Sequence, residues 1–151
     1  MNEVLLFSEL QHLFLTLAIG LLLFWRSRDW RLIPLSFLFG FFIDIDHWFD
    51  HFACFGLNLD LVRFFNFDFV HQCQRVIVPL HGWEFVIPFW FLGRWLGKKF
   101  NLKGLEWAFS LPYFSHLVLD QAFFVCSRHP LAYSFMHRLI NGFSLEAFNG
   151  F

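Results

Sequence analysis

The sequence predicts an all-α membrane protein: a bundle of about four transmembrane helices with short interfacial helices. Three observations favour this fold class. Of the 151 residues, 58% are hydrophobic, 23% aromatic and only 15% charged, whereas soluble domains usually carry about 25% charged residues. Several apolar stretches approach the roughly 20 residues that cross a bilayer. Basic residues lie between these stretches, which is typical of membrane proteins. We therefore expect one integral-membrane domain over residues 1–151.

Four apolar stretches are the expected spans. They cover residues 7–25, 32–51, 79–97 and 105–126. We expect the first to be a retained helix rather than a signal peptide. It begins among acidic residues, Glu3 and Glu9, and no small-residue cleavage site precedes Arg26.

Basic residues set the expected orientation. Spans one and two are joined by RSRDWR and spans three and four by GRWLGKKFNLKG; together these loops contain Arg26, Arg28, Arg31, Arg94, Lys98, Lys99 and Lys103. The positive-inside rule makes both loops cytoplasmic. Segments 52–78 and 127–151 then face outward, and we expect short amphipathic helices there, at the membrane interface. A disulfide between Cys54 and Cys73 is possible if segment 52–78 faces an oxidising compartment.

Ten residues that can bind a metal or move a proton interrupt the apolar pattern. They are His12, Asp44, Asp46, His47, Asp50, His51, His81, Glu84, His116 and Asp120. A charged residue at the bilayer centre costs about 2.5–3.5 kcal/mol on the insertion scale, so charged residues retained there indicate function. In the expected topology all ten lie toward the outer side. A bundle would bring such residues from four helices together around its axis.

The spacing of these residues suits metal coordination. Pairs three or four residues apart share a helix face: Asp44 with His47, His47 with His51, Asp46 with Asp50, His81 with Glu84, and His116 with Asp120. Imidazole and carboxylate ligands suit zinc, iron, manganese or nickel. We expect zinc first, with manganese or iron as alternatives. A water on such a metal is a nucleophile near neutral pH.

Each candidate residue has an expected role. The expected metal ligands are Asp46, His47, His81, His116 and Asp120, with His12 and Asp44 as weaker candidates. Glu84, Asp50 and His51 are the expected catalytic residues, as a general base or as partners that orient a ligating imidazole. Two competing interpretations remain. His12 alone fits a packing residue, and a second span that ends near Ile43 would leave the DIDHWFDH run as a solvated cap.

The order of these motifs resembles that of a known family. The chain has a histidine near the first helix, G-x-x-x-D-x-D-H ending at His47, a histidine segment that opens a later helix, and Y-x-S-H-x-x-x-D ending at Asp120. This order resembles that of the membrane-bound metal-dependent hydrolases typified by the bacterial YdjM-type inner-membrane proteins. The resemblance implies a small multi-pass inner-membrane protein whose His and Asp residues bind a divalent metal. This chain has Ile43 where the family has proline, and it has one histidine, His81, where the family has two.

The leading hypothesis is a divalent-metal-dependent membrane hydrolase with an outward-facing site, acting on a lipid or lipid-linked ester or phosphoester. The alternatives are a metal or proton transporter and a non-catalytic, metal-stabilised membrane assembly protein. Transport needs polar residues across the whole membrane, whereas below the cluster the sequence offers only Ser36, Ser110 and Glu106. A net charge of −1 gives no basic surface for nucleic acid, so we expect no such partner.

Overall fold

The fold is known from a computed structural model that describes residues 3–123 and 129–146. Within these ranges the chain is helical and forms no strand, apart from an isolated antiparallel bridge between Arg75 and Ser144. The all-α prediction is therefore confirmed. The end of the expected fourth span, residues 124–126 with Cys126, lies outside the described residues, as do parts of segment 127–151.

Eight α-helices and two short 3-10 helices make up the described chain. The α-helices are α1 (Glu3–Ser27), α2 (Leu32–Gly40), α3 (His47–Phe55), α4 (Leu61–Phe65), α5 (Asp68–Cys73), α6 (Val86–Lys99), α7 (Leu105–Phe123) and α8 (Phe135–Ile140). The 3-10 helices are Phe42–Asp46, between α2 and α3, and Trp83–Phe85, before α6. α2 packs against α1 and α7, α1 also packs against α7, and α6 packs against α7.

Not all of the described helices are long and apolar enough to cross a membrane. Phe7–Ser27 of α1 is long and apolar enough to do so, and α2 passes the same test together with Phe42–Phe55, although the two parts are bent by 47°. α6 has 14 residues, about 21 Å at 1.5 Å per residue, which is less than the roughly 30 Å of hydrocarbon. The four-span arrangement stays a prediction.

The helix of the third expected span, α6, begins at Val86 and not near residue 79 as the sequence predicted. The cause is the buried Tyr113 of α7, whose hydroxyl accepts a hydrogen bond from the Gly82 N–H at 3.1 Å. The same hydroxyl lies 2.6 Å from the carbonyl oxygens of Leu80 and Gly82, to one of which it donates. These bonds hold residues 80–82 in a non-helical conformation next to α7.

Glycines allow the helices to approach closely. A Cβ at Gly93 of α6 would lie 2.7 Å from the Cα of Glu106, and a Cβ at Gly40 of α2 would lie 2.7 Å from the Cβ of Pro112. Small residues are enriched at such crossings in membrane helix bundles because they let two backbones touch. The second contact positions the end of α2 directly against α7.

Segment 52–78 folds back onto α3. A disulfide joins Cys54 of α3 to Cys73 of α5, with the Cα atoms 5.9 Å apart. The rings of Trp48 and Phe64 stack with centroids 4.1 Å apart. α4 begins at an N-cap, Asp60, whose carboxylate accepts two backbone hydrogen bonds. Segment 52–78 is therefore a packed part of the structure and not a free loop.

Both apolar and polar side chains fill the interior, while many large apolar side chains are exposed on the outside. The buried polar residues of the described chain are Ser8, His12, Thr16, Ser36, Asp46, Asp50, His51, His81, Ser110, His116, Asp120 and Arg138. On α1, by contrast, Phe14 is 67% exposed and Trp25 is 65% exposed. Contiguous exposed apolar surface marks contact with a membrane or a partner.

Candidate metal centre

Four predicted ligands converge from three regions of the chain: Asp44, His81, His116 and Asp120. The Nε2 atom of His116 lies 3.1 Å from His81 Nε2, 3.3 Å from Asp44 Oδ1 and 3.2 Å from Asp120 Oδ2. The Nε2 atom of His81 lies 3.1 Å from Asp44 Oδ1 and 3.6 Å from Asp120 Oδ2. Ligands held 2.0–2.1 Å from a tetrahedral metal are about 3.3–3.4 Å apart. The four donor atoms therefore have the separations of one coordination shell.

Local structure explains how each donor reaches this point. His116 and Asp120 are four residues apart on α7 and so share a face. Asp44 lies in the 3-10 helix after α2, where three residues make one turn and residues two apart point in different directions. Asp44 and Asp46 therefore lie on different sides of His81. His81 itself is carried by the non-helical segment that Tyr113 holds.

Hydrogen bonds fix the lone pairs of both histidines toward the common point. The Nδ1 of His116 lies 2.9 Å from the Gly40 carbonyl, and the Nδ1 of His81 lies 3.0 Å from the Asp46 carboxylate. A carbonyl oxygen only accepts, so the proton belongs on Nδ1 of His116, and an ionised Asp46 demands the same of His81. In the neutral rings both Nε2 atoms are then electron-pair donors. Two such nitrogens and two carboxylate oxygens repel one another unless a proton or a metal ion lies among them.

The cluster is enclosed on most sides and open at one. The side chains of His81, His116 and Asp120 are buried, whereas the Asp44 side chain is 25% exposed. Enclosure strengthens electrostatic interactions inside the site. The side on which Asp44 lies is therefore the more open side of the cluster.

Two other predicted ligands lie beside the four. Asp46 is fully buried behind His81 and also accepts a hydrogen bond from the Leu80 N–H at 2.7 Å. His47 lies at the open side, with its Nε2 3.7 Å from Asp44 Oδ1. Donor atoms of Asp46, His47 and His81 also lie within 4.8 Å of one another. Because Asp46 bonds the far nitrogen of His81, its position is that of an orienting carboxylate.

His12 of α1 approaches the cluster from the opposite side. Its Nε2 lies 3.2 Å from Asp120 Oδ1, and its ring stacks on that of His116. The residue is buried. The structure therefore brings His12 to the cluster, although the sequence interpretation gave it only weak support.

Asp50 and His51, two of the three predicted catalytic residues, are not brought to the cluster. The Asp50 carboxylate accepts hydrogen bonds from the N–H groups of Ile77 and Val78, the second at 2.8 Å. The buried His51 has its Nε2 2.8 Å from the Asn58 carbonyl, to which it donates. Both bonds hold segment 52–78 on α3. The bend between α2 and α3 directs these side chains away from α7.

Glu84, the third predicted catalytic residue, caps α8. Its carboxylate accepts hydrogen bonds from the Ser134 hydroxyl and from the N–H groups of Phe135 and Met136 at 3.1 and 3.3 Å. The predicted pairing of Glu84 with His81 on one helix face fails because the helical conformation begins only after His81. The role of Glu84 in this structure is to attach the C-terminal segment.

Arg138 supports the site from behind, and nothing in the sequence indicated it. This side chain of α8 is fully buried, and its Nη2 donates hydrogen bonds to the carbonyls of His81 and Val78. Burial lowers the pKa of Arg138, while the nearby carboxylates of Asp46 and Asp50 act in the opposite direction. An arginine remains charged in proteins. It therefore balances the buried negative charge next to the cluster.

Glu9 is a further residue near the cluster that the sequence interpretation missed. Donor atoms of Glu9, His12 and Asp44 lie within 4.8 Å of one another. Glu9 precedes His12 by three residues on α1, so the two side chains share a helix face. This spacing is the signal that could have identified Glu9.

Comparison with known proteins identifies no relative. No protein-family model, no curated protein and no solved structure matches the chain. The resemblance to the YdjM-type hydrolases stays a prediction from motifs, and the function is argued below from the cluster itself.

Proposed function

We propose that the protein is a divalent-metal-dependent hydrolase of the bacterial inner membrane, with its site toward the outer face. One observation carries the proposal: two imidazole nitrogens and two carboxylate oxygens face one another at 3.1–3.6 Å, with their lone pairs held inward by hydrogen bonds. The ligands are Asp44, His81, His116 and Asp120. This donor set suits zinc first, with manganese or iron as alternatives.

The residues around the ligands fit hydrolysis. A divalent ion at this position would lower the pKa of a bound water and so supply a nucleophile. His47 is the titratable group at the open side, close to Asp44 and partly exposed. We assign proton transfer to His47 because a general base must lie within reach of the reacting water, directly or through one further water. Asp46 keeps His81 in the ligating tautomer.

Several features support a membrane location. Large apolar side chains cover the helices while polar ones are buried, and α1 is long and apolar enough to span a bilayer. Most of the basic residues lie in the C-terminal parts of α1 and α6 and in the connections that follow them, which favours a cytoplasmic location for these connections. The Cys54–Cys73 disulfide lies in the segment that this orientation exports, and disulfides persist on the oxidising side.

The expected substrate is a lipid or a lipid-linked ester or phosphoester. The cluster lies among helices whose outer surfaces are apolar, so a substrate anchored in the bilayer can reach it without leaving the membrane. The lipid bilayer is accordingly the partner that the surface of the protein requires. The partly exposed Asp44 marks the side from which such a substrate would enter.

The test is hydrolysis by detergent-purified protein. The probes are p-nitrophenyl butyrate, p-nitrophenyl phosphate and bis(p-nitrophenyl) phosphate, each with added Zn²⁺ or Mn²⁺. We expect turnover of at least one probe, loss of turnover on chelation, and loss in His116→Ala. His71→Ala is the matched control, because His71 is an exposed histidine that lies outside the cluster; this variant should retain full activity.

The same preparation separates the alternatives. Metal flux into liposomes without hydrolysis of any probe would favour a transporter. Tight metal binding with neither flux nor hydrolysis, and with a large loss of thermal stability in His116→Ala, would favour a structural metal in an assembly protein. Either result would contradict the proposed hydrolase.

A further inference from the structure

We infer that the centre is dinuclear, with a second divalent ion held by Glu9 and His12 and bridged to the first by Asp44 and Asp120. This inference rests on the proposed function, since it adds a second ion to the same centre. The sequence interpretation gave no role to Glu9 and only a weak one to His12. The structure brings donor atoms of Glu9, His12 and Asp44 within 4.8 Å of one another.

The two shared aspartates are arranged as bridges. Asp120 presents Oδ2 to His116 Nε2 at 3.2 Å and its other oxygen, Oδ1, to His12 Nε2, also at 3.2 Å. Asp44 presents Oδ1 to His81 and His116, while its Oδ2 is buried without a hydrogen-bond partner. In each carboxylate, one oxygen therefore faces the position of the first ion and the other oxygen faces away from it, where a second ion would bind. A second ion between Asp44 Oδ2 and Asp120 Oδ1 would use the two oxygens that the first position does not.

The stacked histidines require two ions rather than one. The rings of His12 and His116 are nearly parallel, 24° apart in plane, with centroids 4.1 Å apart. The lone pair of an imidazole nitrogen lies in the ring plane, so two stacked rings cannot both direct lone pairs at one ion. The two rings direct their lone pairs at two points, which are about as far apart as the rings themselves. In two-metal hydrolytic sites the ions are about 3.5–4 Å apart.

The surroundings of His12 supply an independent observation. The residue is only 3% exposed, yet neither ring nitrogen has a hydrogen-bond partner of acceptable geometry. A buried polar group without such a partner destabilises a fold by about 1–3 kcal/mol. A packing histidine would avoid that penalty. A ligand to an ion would satisfy the Nε2 atom that faces Asp120.

The donors also indicate the kind of ion and substrate. Three carboxylates and one imidazole form a harder ligand set than that of the first position and suit Mn²⁺ or Fe²⁺. Two ions about 4 Å apart stabilise the attacking and leaving oxygens of displacement at phosphorus. The dinuclear centre therefore selects a phosphoester: water oxygen bonds to phosphorus, the bond from phosphorus to the alcohol oxygen breaks, and the proton that water loses ends on the alcohol.

The test is the manganese content of full-length protein in detergent, measured by elemental analysis and electron paramagnetic resonance. The probe is Mn²⁺ alone. We expect about two ions per chain in the wild type, with the spectrum of an exchange-coupled pair. Glu9→Gln should bind about one ion, with an uncoupled spectrum. Glu106→Gln is the matched control, because Glu106 begins α7 far along that helix from the cluster; it should keep the coupled pair.

The outcomes distinguish this inference from the proposed function. One uncoupled ion in the wild type would overturn the second position and leave the first intact, whereas no bound ion would overturn both. A coupled pair that persists in Glu9→Gln would overturn the assignment of Glu9. Circular dichroism and thermal unfolding check that the variants fold. If Glu9→Gln does not fold, His12→Gln makes the same test, with loss of the coupled pair as the expected result.

Discussion

Replacing Asp46 with asparagine should weaken zinc binding about 10- to 100-fold, the usual effect of losing a partner that orients a metal ligand. The reason is the tautomer of His81. The Asp46 carboxylate accepts one hydrogen bond from His81 Nδ1 at 3.0 Å and one from the Leu80 N–H at 2.7 Å. Both bonds use the same oxygen, Oδ2, and the other oxygen, Oδ1, also lies 3.0 Å from His81 Nδ1. In asparagine an NH₂ group takes the Oδ1 position and faces that nitrogen.

That NH₂ group is a donor and cannot accept a hydrogen bond from His81 Nδ1–H, which favours the tautomer with the proton on Nε2. The Nε2 atom then carries a hydrogen into the cluster, 3.1 Å from both Asp44 Oδ1 and His116 Nε2. Zinc must displace that proton or lose the ligand. A 10- to 100-fold loss corresponds to about 1.4–2.7 kcal/mol of binding free energy.

The assay is competition for Zn²⁺ with a fluorescent chelator at constant pH, using protein in detergent. Asp50→Asn is the matched control: Asp50 is also a buried aspartate that accepts hydrogen bonds from the backbone of the same segment, but it contacts no histidine of the cluster. We expect the control to bind zinc like the wild type, whatever its stability. Equal affinities for the wild type and Asp46→Asn would refute the tautomer reasoning.

Three further predictions concern the support of the site. Gly40→Ala places a Cβ 2.7 Å from the Cβ of Pro112, so we expect a loss of about 1–3 kcal/mol of stability in thermal unfolding; an unchanged melting temperature would contradict the close packing. Glu84→Gln should loosen α8 and speed proteolysis of the C-terminal segment, because the Glu84 carboxylate caps that helix; slower or equal proteolysis would exclude the capping role. Reducing the Cys54–Cys73 disulfide, which closes a loop with a sequence separation of 19, should remove about 3 kcal/mol of stability, and no effect of reductant on unfolding would show that the bridge does not form.

The fold class and most of the cluster follow from sequence because both depend on local patterns. Apolar composition and helical spacing predict the helices, and the pair His116 and Asp120 shares a face of α7 as the i, i+4 rule requires. Placing the candidate ligands at one depth predicts that His81 and the DIDHWFDH run will meet this pair, although the sequence interpretation favoured Asp46 and His47 over Asp44 within that run. The structure brings Asp44 and His81 to His116 and Asp120.

The remaining errors arise where tertiary contacts override local spacing. Tyr113 holds the segment around His81 in a non-helical conformation. His81 and Glu84 therefore do not share a helix face. The Asp50 carboxylate accepts hydrogen bonds from the backbone N–H groups of residues that are distant in sequence. Arg138 gives no signal because its buried position depends on how α8 docks, which no local pattern encodes.

X-ray absorption at the zinc edge of wild-type protein loaded with Zn²⁺ tests the central claim most directly. We expect a bound ion with only nitrogen and oxygen neighbours at about 2.0–2.2 Å, together with the outer-shell scattering of imidazole rings. His116→Ala should reduce that imidazole scattering. A shell of sulfur at about 2.3 Å, or a zinc ion that keeps only water around it, would contradict the account.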